Sequence, residues 1–274
     1  MLEPRVPSRR RLSTLPARLA LAAAAASVVS LLLAAAPASA AVNYVALGDS
    51  YASGLGAGNY SGGSCDRSAG AYPQLWANAN HPSSFAFVAC SGATTTDVIN
   101  NQISALSSST TLVSVTIGGN DVGFSNVMIT CVLGSTSDCV NAVNHAESQA
   151  QTQLPGLLDT LYADISARAP GAHVVVVGYP EFYDLSRSSG CIGLSTTDRK
   201  ALNGGADVLD SVIQAAAGRH GFDYAEIRPA FAGHEICDSS SWLHSVDWLN
   251  LGDSYHPTAS GQSGAYYPVF SAAA

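Results

Sequence analysis

Two runs of β-branched residues constrain the fold of this 274-residue chain more than any other feature. Val-Ser-Val-Thr-Ile at 113–117 and Val-Val-Val-Val-Gly at 174–178 contain no charged side chain. Strands of this composition are usually buried on both faces, as in a parallel sheet covered by helices. Three further short apolar segments have the length of strands. The five predicted strands are residues 42–47, 85–90, 112–117, 173–178 and 223–227.

Helical patterns lie between these strands. Apolar residues recur at helical spacing from Leu157 to Ile165, and Pro155 stands where that helix would begin. Similar spacing predicts helices near residues 98–106, 202–213 and 258–270. Strands that alternate with helices predict an α/β fold with helices on both faces of the sheet. Because no repeat or linker interrupts the pattern, we predict one domain over residues 41–274.

The first 40 residues predict a targeting segment rather than part of the fold. An arginine-rich start precedes an apolar run from Leu19 to Ala36, and Ala38-Ser39-Ala40 offers the small side chains that signal peptidase accepts. We expect a signal peptide over residues 1–40, cleavage after Ala40 and a secreted, extracellular protein. A retained membrane anchor is the alternative, because the run approaches the ~20 residues that span a bilayer. The adjacent arginines also permit a twin-arginine export signal.

The remaining chain is acidic, with 7 basic and 19 acidic side chains and a formal charge of −12 over residues 41–274. A phosphate backbone would repel such a body, so nucleic acid is not an expected partner. An even number of cysteines in an oxidising compartment predicts three disulfides, although the residues alone leave the pairing open. No two cysteines form a C-x-x-C pair, and we expect no metal site. The six cysteines are Cys65, Cys90, Cys131, Cys139, Cys191 and Cys237.

The pentapeptide Leu-Gly-Asp-Ser-Tyr occurs twice, at 47–51 and 251–255. The first copy directly follows the first predicted strand, so Ser50 lies at the carboxyl edge of the sheet, where ligands of parallel sheets bind. The second copy leads into His256, three residues after Asp253, and this pair could supply a base and its orienting acid. One copy thus predicts a nucleophile and the other a base. A helix cap is the structural alternative for a single Gly-Asp-Ser.

Two glycine-containing turns follow the second and third predicted strands. Gly92 lies after the second strand, and its lack of a side chain lets the backbone approach a ligand closely. Asn120, after the third strand, carries an amide NH₂ that could point at a developing oxyanion. Asp49 and Asp121 flank these positions, and we expect them to hydrogen-bond loop backbone. Ordinary turns are the alternative for both glycine sites.

The order of these four sites resembles that of the SGNH hydrolases, also called the GDSL lipase/esterase family, over the whole of residues 41–274. The resemblance implies a flavodoxin-like three-layer α/β/α sandwich with five parallel strands in the order 2-1-3-4-5. It implies Ser50 as the nucleophile, His256 as the general base, and no cofactor. The oxyanion hole would comprise the N–H groups of Ser50 and Gly92 and the Asn120 amide. The α/β-hydrolase alternative requires G-x-S-x-G, which is absent from the sequence.

The third member of the catalytic group has two candidates. Asp253 occupies the family's usual acid position, where it would orient the His256 ring and stabilise the imidazolium. The main-chain carbonyl of Ser254 could do the same, as in secreted family members that use a Ser-His dyad. We predict Asp253 from the motif and keep the Ser254 carbonyl as the alternative.

The implied strand order also predicts the disulfides. The first and second strands would be neighbours, with Cys65 after the first and Cys90 at the end of the second, which favours Cys65–Cys90. Cys191 and Cys237 would likewise follow the adjacent fourth and fifth strands. Cys131–Cys139 would close one short loop. Aromatic side chains in site-facing loops could line an acyl-chain groove or pack in the core. These aromatic residues are Tyr51, Phe124, Trp242, Trp248 and Tyr255.

The resemblance implies a secreted carboxylic-ester hydrolase that cleaves lipid esters, as a triacylglycerol lipase or a phospholipase A1 does. It would act as a monomer with only transient contact to a lipid interface. A polysaccharide O-deacetylase on the same fold is a second candidate. A non-catalytic module that holds a small ligand is a third, in which Ser50 would merely cap a helix.

Overall fold

A five-stranded parallel sheet forms the centre of the computed structural model, which describes residues 1–2, 41–61, 63–187, 191 and 193–274. The strand order is β2-β1-β3-β4-β5, which agrees with the predicted fold class and topology. Residues 3–40, most of the predicted leader, lie outside the described residues. The strands are β1 (Asn43–Gly48), β2 (Ser84–Phe87), β3 (Leu112–Thr116), β4 (His173–Val177) and β5 (Asp223–Ala225).

The three central strands are almost wholly buried, which explains their apolar composition. Strand β2 is shorter than predicted, because the chain leaves regular pairing after Phe87. It nevertheless stays on β1, since the N–H of Cys90 donates to the carbonyl of Gly48 at 3.0 Å. The end of β1 and the turn after β2 therefore meet at the carboxyl edge of the sheet. A short antiparallel pair, Tyr60–Ser61 with Arg67–Ser68, lies outside this sheet.

Helices cover both faces of the sheet. On one face, the ring of Tyr44 packs against Trp76, Phe85 and Phe270, with centroids 5.0–5.7 Å apart. No helix within the described ranges is both long and apolar enough to cross a bilayer. The described helices are α1 (Ser50–Ser53), α2 (Tyr72–Asn80), α3 (95–105), α4 (Phe124–Leu133), α5 (Thr136–Thr152), α6 (Leu154–Arg168), α7 (Thr196–Arg219), α8 (Arg228–Phe231) and α9 (259–273).

Two helices that the sequence did not predict follow the turn after β3. Helix α5 begins at Ser135, whose side chain forms a capping box with Asp138. Only Cys139, Val143 and Ala150 of this helix are buried, so its apolar stripe is too narrow to stand out from the sequence. Helix α4 precedes α5 and ends at Leu133, two residues before Ser135. Both helices lie beside the candidate site.

The described cysteines form three disulfides, Cys65–Cys90, Cys131–Cys139 and Cys191–Cys237. These are the pairs that the sequence analysis predicted. The setting of the second pair differs from the prediction, because Cys131 lies in α4 and Cys139 in α5. That bond therefore joins two helices rather than closing a loop, and it fixes the angle at which the chain turns between them.

Non-reducing peptide mapping of the purified protein should recover these three pairs and no others. Each bond is expected to restrict the unfolded chain and to add about 2–4 kcal/mol to the free energy of unfolding. Recovery of a crossed pair, such as Cys90–Cys131, would contradict the pairing.

Candidate active site

Ser50 begins α1 immediately after β1, at the carboxyl edge of the sheet. The turn requires glycine before it, because Gly48 has φ of +132° and an added Cβ would lie 2.5 Å from the carbonyl oxygen of Thr116. Asp49 caps the short helix, since its carboxylate accepts a hydrogen bond from the N–H of Tyr51 at 3.0 Å. The strand, the glycine and the cap together hold the Ser50 hydroxyl in one place.

The structure brings Ser50 and His256 into direct contact, although 206 residues separate them. Ser50 Oγ lies 2.7 Å from His256 Nε2. The other ring nitrogen, Nδ1, lies 3.1 Å from the carbonyl oxygen of Ser254. A carbonyl only accepts, so Nδ1 must carry the ring proton of the neutral imidazole, and Nε2 is left free to accept the serine proton. This tautomer is the one that a general base needs.

Asp253 does not contact the His256 ring, in contrast to the sequence prediction. Its carboxylate accepts hydrogen bonds from the Tyr60 hydroxyl at 3.0 Å and from the Asn250 amide at 2.6 Å. The physical reason lies in the turn, because Asp253 ends a short 3₁₀ segment (Leu251–Asp253) that directs it towards the surface. The Ser254 carbonyl therefore takes the place that the motif assigned to the acid.

An unusual backbone conformation aims that carbonyl at the ring. Tyr255 has φ of +64°, a region that costs a non-glycine residue about 1–3 kcal/mol. Contacts on both sides hold it there: the Tyr51 hydroxyl donates to the Tyr255 carbonyl at 2.7 Å, and the Tyr255 N–H donates to the carbonyl of His244 at 3.0 Å. Tyr51 belongs to the first copy of the pentapeptide and Tyr255 to the second. This bond thus joins the two copies.

Burial lowers the pKa of His256 from its ordinary value to about 4, and the hydrogen bond to the Ser254 carbonyl only partly opposes that effect. The charged ring loses water on burial and gains no contacting carboxylate in exchange. His256 is therefore neutral at every pH well above 4, which is the state in which it can accept the Ser50 proton.

Gly92 and Asn120, which the sequence predicted beside Ser50 in the oxyanion hole, line the same cavity as Ser50 and His256. Gly92 has φ of +78°, a backbone conformation that favours glycine. The Asn120 amide donates one hydrogen to the carbonyl of Ala93 at 3.0 Å and keeps a second for a ligand. Asp121 accepts from the N–H and the hydroxyl of Thr95. The turns after β2 and β3 are thus tied together beside Ser50.

Tyr179 is a site residue that the sequence analysis missed. Its hydroxyl donates to the Asp49 carboxylate at 2.5 Å and accepts from the N–H of Gly119 at 3.2 Å. The side chain therefore bridges the nucleophile turn and the turn that carries Asn120. Burial raises the pKa of Asp49 to about 7, against the opposing effects of its hydrogen bonds. The only local signal for Tyr179 was its place directly after the fourth strand.

An apolar groove leads from the surface to Ser50. Its cavity of about 320 Å³ is lined by Ser50, Gly92, Asn120 and His256 at one end. Met128, Ile129, Val132, Leu133, Val246 and Trp248 supply the apolar walls. A second cavity of about 60 Å³ lies near Ser50, and apolar side chains from α5 and α7 line it. Helix α4 and the loop 246–252 thus build the walls of the groove.

The structure separates the five aromatic candidates into two groups. Phe124, Trp248 and Tyr255 line the groove, as one alternative predicted. Tyr51 is buried in the core, and Trp242 packs against the core beside Phe231 and His234. In the part of the chain that the structure describes, no group of three or more His, Cys, Asp or Glu side chains is placed to hold a metal ion.

Residues 46–263 match the GDSL-like Lipase/Acylhydrolase family, and this span covers most of the chain. The chain belongs to this family. "Lipase 1" of Streptomyces coelicolor is 53% identical over 268 residues, which are 97% of this chain and 99% of that protein. A lipase of Streptomyces rimosus is 49% identical over 85% of this chain and 87% of its own length.

Two solved structures share the fold closely. Phospholipase A1 from Streptomyces albidoflavus NA297 has a TM-score of 0.83 at 56% identity, covering 86% of this chain and 100% of its own. An extracellular lipase from Streptomyces rimosus has a TM-score of 0.83 at 48% identity, over 85% of this chain and 100% of that one. Membership of the family and these relatives make the chain a carboxylic-ester hydrolase.

Asp253→Asn should reduce kcat/KM on a soluble p-nitrophenyl ester by less than about tenfold, because the carboxylate does not touch the ring. His256→Ala in the same assay should be nearly inactive. A loss near the ~10⁴-fold that an essential triad acid confers would restore Asp253 to the catalytic group.

Activity should persist well into acid. Only neutral His256 can accept the Ser50 proton, so kcat/KM should fall about tenfold per pH unit once the pH drops below the His256 pKa of about 4. NMR titration of the ring should give the same value, and intrinsic fluorescence should show that the protein is still folded. A titration of the ring near 6.5, the ordinary value, would contradict the effect of burial.

Tyr179→Phe should lower kcat roughly tenfold and leave KM nearly unchanged, because it leaves Asp49 and Gly119 each short of a buried hydrogen bond while the groove keeps its walls. Tyr162→Phe is the matched control, since Tyr162 is fully buried and its hydroxyl has no hydrogen-bond partner among the described residues. Equal loss in both variants, or a change confined to KM, would argue against the bridge.

Proposed function

We propose that this protein is a secreted serine hydrolase that cleaves lipid esters through an acyl-enzyme on Ser50. The observation that carries the proposal is the 2.7 Å contact between Ser50 Oγ and His256 Nε2 at the inner end of an apolar groove. The contact supports nucleophilic catalysis, and the groove supports a substrate with an apolar acyl chain. Relatives that are described as lipases and a phospholipase A1 support the same substrate class.

In the acylation step, His256 Nε2 takes the hydroxyl proton as Ser50 Oγ attacks the ester carbonyl carbon. The carbonyl oxygen becomes an oxyanion, for which the N–H groups of Ser50 and Gly92 and the Asn120 amide are the proposed donors. Collapse of this intermediate breaks the ester bond, and His256 returns the proton to the departing alcohol. The Ser254 carbonyl keeps the ring in the required orientation throughout.

In the second half of the reaction, a water molecule attacks the acyl-enzyme. His256 Nε2 now takes a proton from this water and gives it back to Ser50 Oγ as the fatty acid leaves. Free serine and neutral histidine are restored. The low pKa of His256 favours this return, because the protonated ring is a strong acid in its buried setting.

We also propose that residues 1–40 form a signal peptide and that residues 41–274 act as a monomer. The Ala38-Ser39-Ala40 sequence and three disulfides support export, and an extracellular relative agrees with it. All the proposed catalytic groups belong to one chain, which supports a monomer. The protein recovered from culture medium should begin at Ala41 when its N-terminus is sequenced.

A fluorophosphonate probe tests the nucleophile, because only an activated serine reacts with it. Wild type should be labelled and Ser50→Ala should not, with the fold unchanged by circular dichroism. Ser254→Ala is the matched control from the second pentapeptide: its hydroxyl accepts only the N–H of Asp247, and its carbonyl survives the substitution. The control should be labelled normally. Labelling of Ser50→Ala would refute the assignment.

A substrate series tests the substrate class. It comprises p-nitrophenyl esters of increasing chain length, an emulsified triacylglycerol, phosphatidylcholine and acetylated xylan. Because the groove walls are apolar, kcat/KM should rise from acetyl to medium and long acyl chains. Both lipids should be hydrolysed and the xylan should not. Preference for acetyl groups and activity on xylan would instead favour the deacetylase.

A further inference from the structure

Five large apolar side chains stand exposed at the mouth of the groove, and we call them the apolar rim. Each has more than half of its surface exposed to water. Ile129 and Leu133 project from α4, and the other three lie in the loop 246–253. The apolar rim consists of Ile129, Leu133, Trp248, Leu249 and Leu251. Exposed apolar side chains that cluster in this way mark interaction sites more often than they arise by chance.

The apolar rim is continuous with the groove that reaches Ser50. Ile129, Leu133, Trp248 and Leu251 line the outer part of that groove, and Leu249 lies between two of them in the chain. Leu249 itself is fully exposed and does not line the cavity. Any surface that covers the rim therefore also covers the entrance through which an acyl chain would reach the nucleophile.

Hydrogen bonds hold the loop that carries three of the five rim residues. The Asp247 N–H donates to Ser254 Oγ at 2.9 Å, and the Asp247 carboxylate accepts from the N–H groups of Leu249 and Asn250. Asp253 accepts from Tyr60 and so fastens the loop to the body of the protein. On the other side, the Cys131–Cys139 bond fixes the end of α4. The rim is thus preformed in its exposed arrangement.

The charges around the rim disfavour docking on an anionic lipid surface. Neither residues 124–140 nor residues 238–258 contain a lysine or an arginine, and Asp247 and Asp253 lie within the loop itself. Residues 41–274 carry a formal charge of −12. Anionic membranes attract basic segments and repel acidic ones. The apolar rim together with this acidic surrounding therefore fits a lipid surface that carries no net negative charge.

We propose that the apolar rim docks on the surface of electrically neutral lipid aggregates, such as phosphatidylcholine bilayers or acylglycerol droplets. This inference rests on the proposed function and adds the surface that delivers its substrate. Leucine and isoleucine side chains enter the acyl boundary, and Trp248 lies at the level of the headgroups, where indole rings are enriched. A docked rim lets an acyl chain pass from the lipid into the groove without crossing water.

The binding test uses the full mature chain with Ser50→Ala, which cannot consume the lipid, and phosphatidylcholine vesicles with brominated acyl chains. Bromine should quench Trp248, because Trp76 is buried and Trp242 is partly buried. Adding Trp248→Phe should abolish the quenching. Adding Leu249→Glu should weaken vesicle binding at least about tenfold by placing a charge in the docked surface. The matched control, Leu157→Glu on helix α6, should bind normally.

The activity test separates docking from catalysis. With Ser50 restored, Leu249→Glu should hydrolyse soluble p-nitrophenyl acetate within twofold of wild type, because Leu249 lies outside the groove. The same variant should lose about tenfold in rate on phosphatidylcholine vesicles. Replacing about a third of the lipid by anionic phosphatidylglycerol should lower vesicle binding of the parent protein rather than raise it.

Several outcomes would overturn the proposal. They are vesicle binding that ignores Leu249→Glu, tighter binding to anionic vesicles, and no binding by a chain that hydrolyses soluble esters well. Ultracentrifugation that found a dimer, converted to monomer by Leu249→Glu, would make the rim a subunit interface instead. If wild type hydrolysed no ester at all, the proposed function would fail, whereas vesicle binding by Ser50→Ala would still report on the rim.

Discussion

The hydrogen bond between Ser50 Oγ and His256 Nε2 joins residues that are 206 positions apart in the chain. Much of the surrounding structure maintains its 2.7 Å length. Ser50 follows the first strand, whereas His256 lies in an irregular loop near the end of the chain. Three further contacts tie these regions together. Tyr51 donates to the Tyr255 carbonyl, the Gln262 amide donates to the Tyr51 carbonyl, and the His244 ring bonds to the Gly56 carbonyl. A shift in any of them would change the distance between Ser50 Oγ and His256 Nε2.

Buried carboxyl groups beside Ser50 lower the stability of the fold, but their hydrogen bonds hold the neighbouring turns in place. Burial raises the pKa values of both Asp49 and Asp210 to about 7. The two carboxyls are linked through one residue, because Asp49 accepts from the Tyr179 hydroxyl and Asp210 from the Tyr179 N–H. These two hydrogen bonds orient both the backbone and the side chain of Tyr179. Through its hydroxyl, Tyr179 also orients the turn that carries Asn120. A network of this kind is costly if one member is removed, which is typical of functional sites.

The sequence was sufficient for the sheet and for placing three candidate positions at its carboxyl edge, because both features depend on local patterns. Buried strands require apolar runs, and Ser50, Gly92 and Asn120 directly follow such runs. Helix α5 was missed because it buries few apolar residues. Tyr179 was missed because its role depends on distances across strands. The sequence offered the Ser254 carbonyl only as the alternative partner of the His256 ring. Every residue has a carbonyl, and residue types do not reveal the positive φ of Tyr255 that aims this one.

The choice of a carbonyl over a carboxylate has an electrostatic consequence. A contacting carboxylate would stabilise the imidazolium and raise the pKa of the ring, whereas a carbonyl offers only a dipole. Burial then dominates, and the pKa of His256 falls to about 4. The base is weaker for it, but it is never lost to protonation in neutral or mildly acidic surroundings. Asp253, released from the ring, holds the loop that carries Trp248, Leu249 and Leu251. Residues 253–256 therefore have two effects. The Ser254 carbonyl orients the His256 ring, and the Asp253 side chain holds the loop at the groove entrance.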